Sequence, residues 1–174
     1  MHPAQFFDSE TAQTIIKVMY AATLSYGCIS DIKSLKIPNA VSVLVIALFF
    51  LNFSPVPIAG LASHLYVAGG ALLVGFGLYA AGIMGAGDIK LISALMLWAG
   101  PRDAVAFLIV MTFVGGLFAG LLLMARTAMI VWPRAHRYIP SRRLRTWAQR
   151  GIFPYGIAIC TAGLLLTRSF FAPH

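Results

Sequence analysis

Long apolar stretches, separated by short polar or glycine- and proline-rich breaks, run the length of the chain. They predict six helices, at about 12–30, 40–53, 58–84, 88–100, 104–130 and 153–171. Apolar segments of this kind are typical of membrane-spanning helices, and the alternating ten-residue segments of a transmembrane barrel do not appear. The predicted fold class is therefore all-α. We expect a polytopic membrane protein with six transmembrane helices and a single membrane-embedded domain over residues 1–174.

The composition agrees with the helix pattern. The chain is 60% hydrophobic and only 10% charged, whereas soluble domains are about 25% charged. Its net charge of +8 comes largely from one basic loop at 131–151, which indicates membrane topology rather than nucleic-acid binding. No nucleic-acid partner is predicted, and the lipid bilayer is the expected surroundings. The two cysteines, Cys28 and Cys160, are interpreted as packing residues.

The distribution of basic residues predicts the orientation of the helices. Six spans place both termini on one side of the membrane. The loops on the other side carry Lys33, Lys36, Lys90 and the basic loop, so that side is the cytoplasm. Both termini are then extracytoplasmic. Of the five acidic residues, Asp31 and Asp88 alone fall at the cytoplasmic face.

Asp88 follows Gly85-Ala86-Gly87 at the start of a short apolar segment. About eleven helical residues rise only ~17 Å, while a membrane span needs about 30 Å. Asp88 is therefore expected below the membrane surface. Irregular backbone at that depth lies inside protein or beside a water-filled cavity, which predicts a hydrated pocket there.

Two neighbouring carboxyls that share one proton can hydrolyse a peptide bond. One takes a proton from water and the other gives a proton to the substrate. No histidine is placed to activate a serine, and no metal-ligand spacing is present, so neither a metal nor a cofactor is predicted. Simpler roles remain open. Asp88 could cap a helix, the lysines could only set topology, and Tyr155 could be an interfacial anchor.

Three motifs in order carry a family resemblance: Asp31 with Lys33, Lys36 and Ile37-Pro38-Asn39, then Gly85-Ala86-Gly87-Asp88-Ile89-Lys90, then Pro154-Tyr155-Gly156. Together they resemble the type IV prepilin peptidases, membrane aspartic proteases of the GxGD class. The resemblance implies that Asp31 and Asp88 are catalytic. It also implies cleavage of short leaders from pilin-like precursors at the cytoplasmic face of the bacterial inner membrane.

The resemblance also suggests which kind of family member this is. The chain has neither the cytoplasmic insert nor the paired CxxC motifs of the bifunctional members. It looks like the short, peptidase-only kind of Tad/Flp pilus systems, so N-methyltransferase activity is not expected. A substrate- or loop-supporting role is assigned to the other motif residues: Lys33, Lys36, Pro38, Asn39, Gly85, Gly87, Lys90 and Tyr155.

Two other functional classes use the same residues. In a small transporter or channel, Asp31 and Asp88 would line a proton or cation path. In a structural subunit of a secretion or pilus assembly, they would only cap helices. The sequence does not identify the precursor, and a homo-oligomer is compatible with it.

Overall fold

The computed structural model describes residues 9–53, 58–131, 142, 146–147 and 153–171. Within these residues the prediction of an all-α fold is confirmed. The helices are α1 (Ser9–Ser34), α2 (Asn39–Phe53), α3 (Ile58–Ala80), α4 (Ala86–Val131), α5 (Tyr155–Leu165) and α6 (Thr167–Phe170). Most of the basic loop, and residues 54–57 between the second and third predicted helices, lie outside the described residues.

The bundle has an apolar surface and several buried polar side chains. Two segments, Gly60–Ala80 and Ala86–Val131, are long and apolar enough to cross a membrane by length and composition. Large apolar side chains cover the outside of the bundle, among them Tyr66, Leu73, Phe113 and Met124. Several polar side chains are instead buried: Asp31, Ser42, His64, Ser93 and Asp103. An apolar exterior of this extent suits contact with lipid rather than water.

A sharp break divides α4 where the sequence predicts separate segments. Gly100 has φ 57° and ψ −167°, and Pro101 follows it. Proline lacks an N–H, so the carbonyl of Leu97 loses its helical partner. His64 on α3 replaces that partner, because its Nδ1 donates to Leu97 O at 2.7 Å. A side chain at position 100 would overlap the His64 ring.

The chain reverses direction at this break. Met84 and Ala119 line the same cleft, although a straight helix would separate residues 86 and 119 by about 50 Å. The first half of α4 (residues 86–99) and the second half (residues 101–131) therefore run antiparallel. Phe107 follows the break, and the same reversal brings the centre of its ring to 6.3 Å from the ring centre of Phe170 in α6.

The first half of α4 is the centre of the bundle. Every residue from 91 to 100 is buried, and α4 packs against α2, α3 and α5, while α1 packs against α2 and α5. Near the break, the centre of the Trp98 ring lies 4.9 Å from the ring centre of Tyr20 and 4.7 Å from that of Phe171. Its Nε1 donates to Val45 O at 2.9 Å. This aromatic cluster lies about 15 Å along α4 from Asp88.

Helix ends differ from the sequence prediction by a few residues. α3 ends at Ala80 rather than at 84, because Gly82 adopts φ 69°. Ile83 N–H bonds to Leu78 O and Gly82 N–H to Tyr79 O, both at 2.9 Å, which is the Schellman end of a helix. α1 continues past the predicted residue 30 to Ser34. Leu166, with φ −90° and ψ 6°, divides the predicted last segment into α5 and α6.

Replacing His64 by phenylalanine is expected to destabilise the bundle without changing its chemistry. His64→Phe keeps an aromatic ring but leaves the buried Leu97 carbonyl without this donor, which costs about 1–3 kcal/mol. The melting temperature in detergent should fall. Tyr66→Phe, exposed on the same helix, is the control. An unchanged melting temperature for His64→Phe would contradict the role given to this hydrogen bond.

Candidate active site

Asp31 lies in the last turn of α1, next to a tightly held turn. Leu35 adopts the left-handed conformation at φ 54°, and its N–H bonds to Asp31 O at 2.8 Å. The hydroxyls of Ser30 and Ser34 both donate to Lys36 O, at 3.0 and 3.4 Å. The turn is therefore fixed by its own side chains, and Asp31 beside it is only 4% exposed.

The Asp31 carboxyl packs on the N-terminus of α5. The backbone N–H groups of Gly156 and Ile157 face it and stabilise its charge, as the free N–H groups of a helix N-terminus do for anions. Its Oδ2 is buried and has no hydrogen-bond partner among the described residues. A Cβ at Gly156 would lie 2.7 Å from that oxygen and 2.8 Å from Cγ. The carboxyl can approach α5 this closely only because residue 156 has no side chain.

Asp88 occupies the first turn of α4 and reaches back to the residue before the helix. The N–H of Gly85 donates to its carboxyl, while Ile89 N–H bonds to Gly85 O at 3.2 Å. A Cβ at Gly85 would lie 3.0 Å from Asp88 Oδ2, so glycine leaves room for this contact. Asp88 therefore does cap its helix, as the simpler alternative proposed, and its side chain is partly buried.

The two carboxyls come from different helices, α1 and α4. The Asp31 carboxylate acts electrostatically on Asp88. The Cys160 thiol, one turn after Gly156 on α5, interacts with both carboxyls, and Cys28 interacts with Asp31. Both cysteines are free thiols. Asp31 and Asp88 thus lie at the same end of the bundle, within reach of each other's charge.

Two contacts attach the turn before α4 to the loop between α1 and α2. A Cβ at Gly87 would lie 3.3 Å from the carbonyl oxygen of Ile37, so glycine permits close packing of the two segments. The Lys90 ammonium donates to Asn39 Oδ1 at 3.1 Å. Gly87, Lys90 and Asn39 were selected from the sequence, and all three hold together the segments that carry the two acids.

The other residues selected from the sequence lie around this site. Lys33 and Lys36 are exposed at the end of α1. Pro38 accepts a hydrogen bond from Val41 N–H at 3.0 Å at the start of α2. Tyr155 is 37% exposed, and its ring lies 4.7 Å from that of Phe153. These positions suit contact with the membrane surface or with a substrate.

Some contributors were not found from the sequence. The N–H groups of Gly156 and Ile157, the buried Ile37 and the two nearby thiols are brought to the acids by packing between distant segments. A proline before the start of α5 and a glycine in its first turn are the available signals, and local rules explain both as the entry to a helix. Within the part of the chain that the structure describes, no group of three His, Cys, Asp or Glu residues could hold a metal ion.

Comparison with protein families identifies the chain. The model of the type IV leader peptidase family matches residues 18–121, more than half of the sequence. The chain belongs to the type IV leader peptidase family. The resemblance drawn from the motifs is thereby confirmed at the family level. The matched region contains Asp31 and Asp88 and ends before α5.

This leader peptidase is a membrane protein, and its family indicates peptidase activity toward pilin-like precursors in general. No curated protein and no solved structure matches the chain.

Proposed function

We propose that this leader peptidase is a membrane aspartic endopeptidase in which Asp31 and Asp88 together activate water. One observation carries the proposal: two carboxyls from non-adjacent helices, α1 and α4, lie within reach of each other's charge at one end of an apolar bundle. Acidic groups at membrane depth are costly and mark functional sites by default. A structural subunit would explain why Asp88 caps α4, but it would not explain why a second acid lies within reach of its charge.

The surroundings suggest how the pair divides its work. Two backbone N–H groups face Asp31, while one faces Asp88. The ionised member of the pair is therefore placed on Asp31 and the shared proton on Asp88, although such a pair titrates as a unit. Asp31 takes the proton of the attacking water, and Asp88 protonates the carbonyl oxygen of the scissile bond. The tetrahedral intermediate then collapses as Asp31 gives the water's proton to the leaving nitrogen and Asp88 takes back the proton from a hydroxyl of the intermediate.

The topology supports cleavage at the cytoplasmic face. With α4 counted as two antiparallel halves, α1, α2, α3, the two halves and α5 give six proposed spans. The acids share their end of the bundle with the exposed residues Lys33, Lys36 and Lys90, and lysine-rich ends face the cytoplasm. Both termini are then extracytoplasmic, and the membrane is the bacterial inner membrane.

The proposed substrates are type IV prepilin-like precursors of the Flp/Tad kind, which carry a short leader before an apolar helix. A precursor helix held in the membrane places its leader junction at the level of the two acids. Glycine at the cut leaves the backbone there unhindered. Because the sequence has no insert with paired CxxC motifs, N-methylation of the product is not proposed.

Cleavage can be tested with the purified protein in liposomes and a Flp-type precursor. The expected product is a mature pilin whose new N-terminus follows the leader glycine, as read by mass spectrometry. Addition of S-adenosylmethionine should leave the product mass unchanged. A precursor that stays intact, or one cut elsewhere, would contradict the proposed substrate.

The nearby thiols are expected to be dispensable for cleavage. In the Cys28→Ala/Cys160→Ala double variant, kcat/KM should stay within about threefold of the parent, because water rather than a thiolate is the nucleophile. Treatment of the parent protein with a maleimide that reaches Cys28 also tests whether this thiol is dispensable for cleavage. A hundredfold loss in a double variant with an unchanged melting temperature would instead assign a chemical role to a thiol.

A further inference from the structure

Three apolar clefts border the helix that carries Asp88. The first, of about 420 Å³, lies between the second half of α4 and the start of α5, and Met84 also lines it. The second, of about 640 Å³, is lined by α2, α3 and the first half of α4, including Lys90 and Leu97. The third, of about 480 Å³, is lined by α3 and the start of α4, including Ala86 and Lys90. All three clefts are large enough to accept side chains of another helix, so their position relative to the acids decides between them.

Helical geometry separates the second cleft from the acids. Two residues along an α-helix correspond to a rotation of about 200°, so Lys90 points almost opposite to Asp88. The other α4 residues of that cleft, Ser93 and Leu97 among them, follow Lys90 at helical spacing. The third cleft shares Lys90 with the second and also contains Ala86, which lies two residues before Asp88 and therefore points almost opposite to it. Both clefts therefore open on the side of α4 turned away from Asp88.

The first cleft borders both turns that hold the acids. Met84 immediately precedes Gly85, whose N–H contacts Asp88. Tyr155 immediately precedes Gly156, whose N–H faces Asp31. Both Met84 and Tyr155 line the cleft, so the cleft comes within one residue, along the chain, of both N–H groups that contact the acids.

The floor of this cleft suits a second helix. It is formed by residues with little or no side chain, Gly115, Gly116 and Ala119. A Cβ added at Gly116 would meet nothing within 4 Å, so the position is open space. Small residues let helix backbones approach closely in a membrane. On one side of this floor, Phe113 and Leu117 lie four residues apart on the same face of the helix and are 72% and 59% exposed, so their side chains can pack along one flank of an incoming helix.

We propose that this cleft is the docking site for the apolar helix of the precursor, which it orients so that the leader junction reaches Asp31 and Asp88. The proposal rests on the proposed function and adds the place where the substrate is recognised. The cleft binds the part of the precursor that follows the cut and lies in the membrane. The leader itself extends past Met84 and Tyr155 to the two acids.

Filling the cleft tests this assignment. Gly116→Leu and Ala119→Leu are expected to raise KM for the full-length precursor at least about tenfold, with kcat changed less than about threefold. A soluble peptide that contains the leader junction but not the apolar helix should be cleaved at the parent rate. Gly77→Leu is the matched control, since position 77 also faces open space but lies on α3, away from the cleft. Melting temperatures identify any variant that is misfolded.

Cross-linking gives an independent measurement. Thr112→Cys, which lines the cleft, is introduced into the Cys28→Ala/Cys160→Ala background and oxidised with precursors carrying single cysteines in the apolar helix. A periodic pattern of disulfides along that helix is expected. Cross-links only to a second copy of the peptidase, or none with the precursor, would overturn the assignment.

The two proposals fail in different ways. If filling the cleft leaves KM for the full-length precursor unchanged, or slows both substrates equally, the docking site is wrong while the aspartic mechanism stands. If variants of Asp31 and Asp88 still cleave the soluble peptide, the mechanism is wrong whatever the cleft binds.

Discussion

Asp31→Asn and Asp88→Asn each reduce kcat/KM for precursor cleavage by about 10³-fold or more. Proton transfer by a placed side chain contributes roughly 10²–10⁴-fold, and an amide can neither accept the water's proton nor donate one as a carboxyl does. A 10³-fold loss corresponds to about 4 kcal/mol of transition-state stabilisation. The measurement is initial-rate cleavage of a pilin-like precursor in liposomes. Because the two carboxyls act as one unit, the double variant should lose little more than either single one.

Asp103 provides the matched control for these variants. Its side chain is 8% exposed, and its Oδ2 is also buried and without a hydrogen-bond partner in the described segments. It follows the break at Gly100, so it lies at the opposite end of the first half of α4 from Asp88. Asp103→Asn should keep nearly full activity. If either site variant retained more than a tenth of parental activity with an unchanged melting temperature, the paired mechanism would be wrong.

The large features of the fold follow from local patterns. Apolar length predicts the helices, and Gly100-Pro101 marks the break in α4, because proline removes a helical donor wherever it occurs. The placement of Asp31 and Asp88 at one end also follows from the sequence, by counting helices between them. The helices and the break depend only on neighbouring residues. The placement of the two acids depends only on whether the number of membrane crossings between them is even or odd, so no three-dimensional information is needed.

The contacts that complete the site depend instead on packing between distant segments. His64 is 33 residues from its acceptor Leu97, and its spacing gives no sign that it replaces a bond lost at Pro101. The support that α5 gives to Asp31 is similar, because 125 residues of chain separate Asp31 and Gly156. Pro154-Tyr155-Gly156 is a sufficient helix entry by local rules, and only the packing of α5 against α1 gives its glycine a second role.

Glycines at this site therefore serve different partners. Gly85 leaves room for the carboxyl of its own helix, and Gly87 leaves room for the backbone of a neighbouring loop. Gly156 leaves room for a carboxyl from another helix. In each case an added methyl group would occupy space needed by a group that holds or carries an acid. The motif glycines are consequently part of how the two carboxyls are positioned, independent of any loop movement.

Gly156→Ala should lower kcat about a hundredfold while leaving KM within about threefold. The added Cβ would lie 2.7–2.9 Å from the Oδ2, Cγ and Cβ atoms of Asp31, closer than real contacts permit. The carboxyl must therefore withdraw from the N–H groups of Gly156 and Ile157, and it loses its alignment with Asp88. A hundredfold loss corresponds to about 2.7 kcal/mol. The apolar helix of the substrate would still bind, which is why KM is expected to change little.

Gly163→Ala, on the same helix, separates this positioning effect from simple overpacking. A Cβ at position 163 would lie 2.8 Å from Leu24 Cδ1, a comparable overlap with an apolar side chain in the core. Overpacking of this kind costs about 1–3 kcal/mol of stability, so this variant should melt earlier yet keep its kcat. If both glycine variants lost stability and kcat in parallel, the role of Gly156 would be that of a packing residue. A selective fall in kcat for Gly156→Ala assigns it to the placement of Asp31, because only that position contacts the carboxyl.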